Sequence, residues 1–299
     1  MLKKRLKQFW ILLKKTYKSW DSNDPFGRSA IIAYYTLFSL PSLLLIVVTI
    51  AGYFFGQDAV QGRITKQFSS FIGAGSAEAI EQMISNAALN DSSTFSVIFG
   101  AATLIFGATG AFFQLKRAMN NIWKVRAKHD TFWDTVKDRA ISFGMILVIG
   151  MMLLVSLMIS AIIGVVSEYI ESFYPFVAAI AVDLLNFVLS FAFITFLFAA
   201  MFKLLPDIHI RWKVTIIGAV FTALLFLIGE YAIGFYFGEA NPASIYEGAS
   251  TVVLILLWVY YTGVILFFGA ELTRQYAIHF DEMVVPNKYA DHLPKAEQY

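Results

Sequence analysis

The chain has 299 residues, of which 58% are hydrophobic and only 15% charged, against about 25% charged residues in an ordinary soluble domain. Twenty-nine Phe, 14 Tyr and 6 Trp make the apolar surplus bulky, which excludes a disordered chain as well as a water-soluble globule. Cysteine is absent, which removes disulfides, thiolate nucleophiles, iron–sulfur clusters and Cys-ligated zinc, and the net charge of +2 is informative only in how it is distributed.

Residues 1–24 come first. Leu2, Leu6, Phe9, Trp10, Leu13 and Tyr17 share one helical face, with Lys on the others. This is the pattern of an amphipathic helix lying on an anionic inner leaflet, or of a basic topology anchor with no partner of its own. The apolar run 9–13 is too short for the core of a signal peptide and ends at Lys14-Lys15, so no cleavable leader is expected. Next come six apolar windows. Residues 29–57, 92–115 and 140–167 carry no charge, 172–202 carries only Asp183, 214–238 only Glu230, and 248–273 only Glu271. Crossing about 30 Å of hydrocarbon takes about 20 helical residues, and in lipid a helix satisfies its own backbone. The expected fold is therefore all-α: a polytopic membrane protein built as a six-transmembrane-helix bundle with amphipathic flanking helices, in one domain.

Between the windows, loop 58–91 is expected to hold two short amphipathic helices outside the membrane. One is built on Ile64, Phe68, Phe71 and Ile72; the other, capped by Ser76, carries Ile80, Met83, Ile84 and Ala87. Loop 116–139 is expected to be helical on the inner side, with span two running on to Trp123 and a new helix starting at Asp130. The tail is 280–299. Twenty-one of the 23 Lys and Arg fall in the segment up to Arg28, in 116–139, in 203–213 and from Arg274 onward; Arg63 and Lys66 are the other two. Positive-inside bias thus places both termini in the cytoplasm of a bacterial inner membrane, multi-pass.

Ala33-Tyr-Tyr-Thr-Leu-Phe-Ser-Leu-Pro41, Met119-Asn-Asn-Ile-Trp123, Leu204-Leu-Pro-Asp207, Tyr246-Glu-Gly-Ala-Ser250, Trp258-Val-Tyr-Tyr261 and Phe268-Gly-Ala-Glu-Leu-Thr273 together resemble the YihY/BrkB family of bacterial inner-membrane proteins. That family is also filed under the name "ribonuclease BN". The resemblance runs from about residue 25 to 280 and implies a six-helix inner-membrane fold. Ser42 stands where the family often has a second Pro, which softens the break in span one.

The ribonuclease label can be tested on the residues. Phosphodiester cleavage needs an acid and a base, or metals held by clustered carboxylates and His. His129, His209, His279 and His292 sit on separate segments without ligand spacing. Asp130, Asp134 and Asp138 repeat every four residues, but Lys137 and Arg139 beside them mark a solvated face. No nucleic-acid-binding motif and no P-loop is present. No catalytic residue, metal or cofactor is therefore expected, and nucleic acid is not an expected partner.

Charged groups in hydrocarbon are costly and usually face a bundle interior or a wet cavity. Asp183 lies about seven residues, or roughly 10 Å, and Glu230 about eight residues, or roughly 12 Å, below the outer surface. Asn186 and Ser190 share the Asp183 face. These residues would line an outward polar cavity, or alternatively form a hydrogen-bonded pair joining two helices. Pro41, with Ser39 and Ser42 beside it, breaks span one, either at a binding site or at a packing kink; Tyr34 lies on its cytoplasmic side, as a cavity residue or part of the aromatic belt. Glu271 and Arg274, at i and i+3, form an inner ion pair or a gate. Gly107, Gly110, Gly263 and Gly269 read as close helix contacts.

The expectation is a transport-type membrane protein moving a lipid or amphiphile. The other readings are a non-transporting scaffold of envelope machinery and the ribonuclease of the family label. Membrane lipids are the expected partners, with a second copy of the chain or envelope proteins as the other candidates.

Overall fold

The structure, a computed structural model, describes residues 2–39, 94–128, 175–240, 250–280, 282, 284–287 and 290–293. The windows at 140–167 and most of 29–57 lie outside the described residues, as do Pro41, loop 58–91 and the helix expected from Asp130.

Helix α1 (Leu2–Ser22) buries Leu12, Thr16 and Trp20, an i, i+4, i+8 stripe. It ends where Asn23 N–H reaches the Trp20 carbonyl at 3.1 Å and Asp24 takes φ 49°, a conformation Asp tolerates better than most residues. Asp24 Oδ1 then accepts from Gly27 N–H at 3.1 Å. With Pro25 next in line, that is an N-cap followed by a proline already shaped for the first turn, and helix α2 follows over 25–39. Helix α3 (Thr94–Ile122) ends at Lys124, φ 53°, and runs into strand β1 (Val125–Ala127). Helix α4 (Pro175–Leu204), strand β2 (Ile208–His209), helix α5 (Trp212–Ala240) and helix α6 (Ser250–His279) follow. Strands β3 (Val285–Pro286) and β4 (Ala290–His292) complete the described chain. Among the described residues three stretches are long and apolar enough to cross a membrane: Phe187–Leu204, Trp212–Ile233 and Ile255–His279.

Helices α5 and α6 pack antiparallel through glycine notches. Thr273 sits over Gly218, Thr222 over Gly269, and the Tyr261 ring over Gly229. Each threonine hydroxyl donates to its own helix, Thr222 to Gly218 O and Thr273 to Gly269 O, both at 2.7 Å. The notch is thus polar in composition yet leaves no hydroxyl unsatisfied in hydrocarbon. Gly263 meets Ser29 of α2, and Gly107 and Gly110 of α3 meet Ser39 and Tyr35 of α2. The four glycines read as contact points each seat a neighbouring helix.

The all-α expectation needs one correction. β1 pairs antiparallel with β4 and β2 with β3, so the tail straps the end of α3 to the α4–α5 connection. Val125 and Ala290 point inward and are buried, while Arg126 and Asp291 are exposed. His292, paired with Val125, is exposed as well, and the strands are too short to register as a period-2 pattern in sequence. The core is concentrated at this strand end, around Met119, Trp123, Phe202, Val214 and Phe267.

Candidate functional site: a buried polar network at the strand end

Three of the sequence motifs converge at the strand end. In Met119-Asn-Asn-Ile-Trp123 the apolar members are core, and the two amides face different partners. Asn120 and Asp207 bond reciprocally: Asn120 Nδ2 donates to Asp207 Oδ2, and Asp207 N–H donates to Asn120 Oδ1, each at 2.8 Å. Lys116 Nζ stands 3.2 Å from the same carboxylate, and the Asp207 carbonyl accepts from Asn287 N–H at 2.8 Å. The aspartate of Leu204-Leu-Pro-Asp207 thereby joins α3, the α4–α5 turn and the tail.

Asn121, with its amide oxygen facing Arg28, accepts from both terminal guanidinium nitrogens at 3.1 and 2.8 Å. Arg28 Nε donates to the Asn23 carbonyl at 2.7 Å. The Asn23 side chain accepts from Lys124 Nζ at 3.3 Å and donates to Glu271 Oε2 at 3.4 Å. On the other carboxylate oxygen, Glu271 accepts from Gln275 Nε2 at 2.9 Å and Arg274 Nη1 at 3.3 Å. Glu271 is 0% exposed. A narrow crevice beside it is lined by Trp20, Asn23, Pro25, Arg28, Ile122 and Phe267.

This end is crowded with cations. Burial pushes the Arg28 guanidinium below its ordinary pKa, Asp24 opposes this and Arg117 adds to it. Lys124 is lowered by burial, then by Arg274 and Arg28, with Glu271 acting against the shift. The buried carboxylate therefore acts as the counter-charge that lets Lys124 and Arg274 meet, while Asp24 serves Arg28. Chemically the arrangement is a lock: paired, hydrogen-bonded and without a nucleophile–base pair.

Glu271 and Arg274 form an ion pair at 3.3 Å, and Glu271 is fully buried. Ser39 is buried and donates to the Thr36 carbonyl at 3.1 Å. Tyr34 is exposed, its ring against Tyr35 and Phe38. Asp183 and Asn186 lie one turn apart on α4, with their side chains outside the described residues. Glu230 is half-buried on α5, which packs against α4, and no described residue hydrogen-bonds or ion-pairs with it. His209, His279 and His292 are exposed, and among the described residues no group of three His, Asp or Glu could hold a metal. Spacing alone marks none of Asn23, Asn120, Asn121, Lys124 and Asp207 as a site; Asn120, Asn121 and Asp207 do fall inside the quoted motifs, among residues that form the core, whereas Asn23 and Lys124 fall in none.

Comparison with known proteins follows the same motifs. The chain is 26% identical to the "UPF0761 membrane protein NTHI0384" of Haemophilus influenzae (strain 86-028NP), covering 89% of this chain and 94% of that one. It is 21% identical to YfkH of Bacillus subtilis (strain 168), named a ribonuclease-like protein, covering 87% and 93%. It is also 27% identical to the "UPF0761 membrane protein RC1_0578" of Rhodospirillum centenum (strain ATCC 51521 / SW), covering 85% of this chain and 54% of that one. No solved structure matches. The profile described as "Virulence factor BrkB" matches residues 16–291, and the chain belongs to that family of membrane proteins.

Proposed function

We propose that this integral membrane protein moves a lipid or amphiphile through a polar cavity in its helix bundle, closed at the strand end by the Glu271 network. To that cavity we assign Asp183 and Asn186 of α4 and Glu230 of α5, and to the break in the first span Pro41 and Ser39. Both termini lie in the cytoplasm, since 21 of the 23 Lys and Arg fall on one side of the six windows. The observation that carries the reading is the contrast between two carboxylates on neighbouring helices. Glu271 is held by three donors, whereas Glu230, within the apolar stretch Trp212–Ile233, meets no partner among the described residues. Acids within hydrocarbon usually face a bundle interior or a water-filled cavity and mark substrate or ion pathways.

The test is reconstitution of the purified chain into liposomes with labelled lipids, beside Glu230→Gln and Asp183→Asn. Lipid movement by the parent and its loss in variants that fold normally support the proposal. Movement equal to that of protein-free liposomes, or undiminished in both variants, overturns it. The strapped strand end also suits a scaffold, which would move no lipid and would retain envelope proteins on cross-linking in cells. A ribonuclease would cleave RNA as purified protein and lose that activity on substitution of His or Asp residues.

A further inference from the structure

Helix α1 presents three separate faces. Leu12, Thr16 and Trp20 are docked on the bundle, with the Trp20 ring 5.7 Å from Phe268 and the Phe9 ring 6.4 Å from Phe221. Trp10 and Tyr17, about a quarter-turn away, are 61% and 60% exposed, a large apolar area to leave in water. Beyond them run the exposed Lys7, Lys14, Lys15 and Lys18, with Lys14 Nζ 6.0 Å from the Trp10 ring centre. The helix carries seven Lys and Arg against one Asp.

The aromatic flank does not stop at the end of α1. Tyr17 touches Trp20, which touches Phe26 at 5.2 Å, and Phe26, Tyr34 and Phe38 continue as an exposed stripe along α2, the start of the first apolar window. Exposed aromatics thus lie both on the membrane-entering helix and on α1, joined beneath the surface by the buried Trp20 ring. A lipid leaflet meets all of them at once, with acyl chains against Phe26 and Tyr34, the interface against Tyr17 and Trp10, and headgroups against the lysines. A protein partner would have to match only the last part.

We infer that α1 is an in-plane docking surface for anionic lipid, with Trp10 and Tyr17 in the leaflet and Lys7, Lys14, Lys15 and Lys18 on the phosphates. The inference stands whatever cargo the bundle moves. Anchoring by aromatics alone would be indifferent to headgroup charge, whereas each basic side chain near an anionic surface strengthens binding about fivefold, until salt screens it.

The chain's lack of cysteine permits a clean test. Full-length Asp21→Cys, which lies on the aromatic flank, carries a fluorophore in lipid discs containing nitroxide-labelled lipid. One set of discs is phosphatidylcholine and the other about one-third phosphatidylglycerol. Quenching is expected to rise several-fold in the anionic discs, to fall back with added salt, and to lose its lipid dependence when the four lysines are replaced by Gln. Circular dichroism verifies that α1 stays helical. Equal quenching in both discs, or a lipid effect that survives the four substitutions, overturns the inference. So does a label shielded in native membranes but exposed to solvent in anionic discs, which would mark a protein partner.

Discussion

A carboxylate such as Glu271 is tolerated in the interior only because its partners come with it. Removing one member of a buried pair costs roughly 3–5 kcal/mol, while an exposed pair contributes at most about 1 kcal/mol. Glu271→Leu should therefore lower the thermal midpoint in detergent strongly, because Arg274 and Lys124 lose their counter-charge; Glu271→Gln should fall between it and the parent. Asp291→Ala, which removes the exposed partner of Lys128 at 3.2 Å, should shift the midpoint little. Equal shifts for Glu271→Leu and Asp291→Ala would contradict the assignment of the network as buried. Asn120→Leu belongs to the same test: it strands the Asp207 backbone N–H and removes one neighbour of its carboxylate. An unsatisfied buried polar group costs about 1–3 kcal/mol, and the loss should be visible in the same melting curves.

Among the elements, the glycine notches of α5 and α6 determine how close two membrane helices come. A Cβ at Gly218 would stand 1.8 Å from Thr273 Oγ1, and one at Gly269 1.9 Å from Thr222 Oγ1. Gly218→Ala should thus cost roughly 1–3 kcal/mol as overpacking. Thr273→Ala in the same chain should recover most of it, a coupling read from the double-mutant cycle of melting temperatures. The helices were legible in the sequence because hydrocarbon imposes long uncharged windows, and Gly107, Gly110, Gly263 and Gly269 were legible as the small residues such helices need at a contact. The strands were not, since β1 and β2 have three and two residues and their partners lie in the distant tail. Nor were Asn23, Asn121 and Lys124 legible as a site. Asn23 and Lys124 look like loop polar residues until α1, α3 and α6 bring them to Glu271, and Asn121 joins only through Arg28, long-range contacts with no local period. Glu271 and Arg274 were readable as a pair because i, i+3 spacing is local, but the depth of that burial follows from α1 closing over it.

The molecule as a whole divides into two regions. One is the strand end, where two small sheets, Asp207 and Glu271 hold the helices together. The other is the apolar length of α5, where Glu230 meets no partner among the described residues. The measurement that tests this division most directly is water accessibility of cysteines introduced singly at the two positions, Glu230→Cys and Glu271→Cys, in intact and inverted membrane vesicles. A membrane-impermeant maleimide is expected to label position 230 from the side opposite the termini and to leave position 271 unlabelled from either side. An unlabelled position 230 with a readily labelled position 271 would contradict that division.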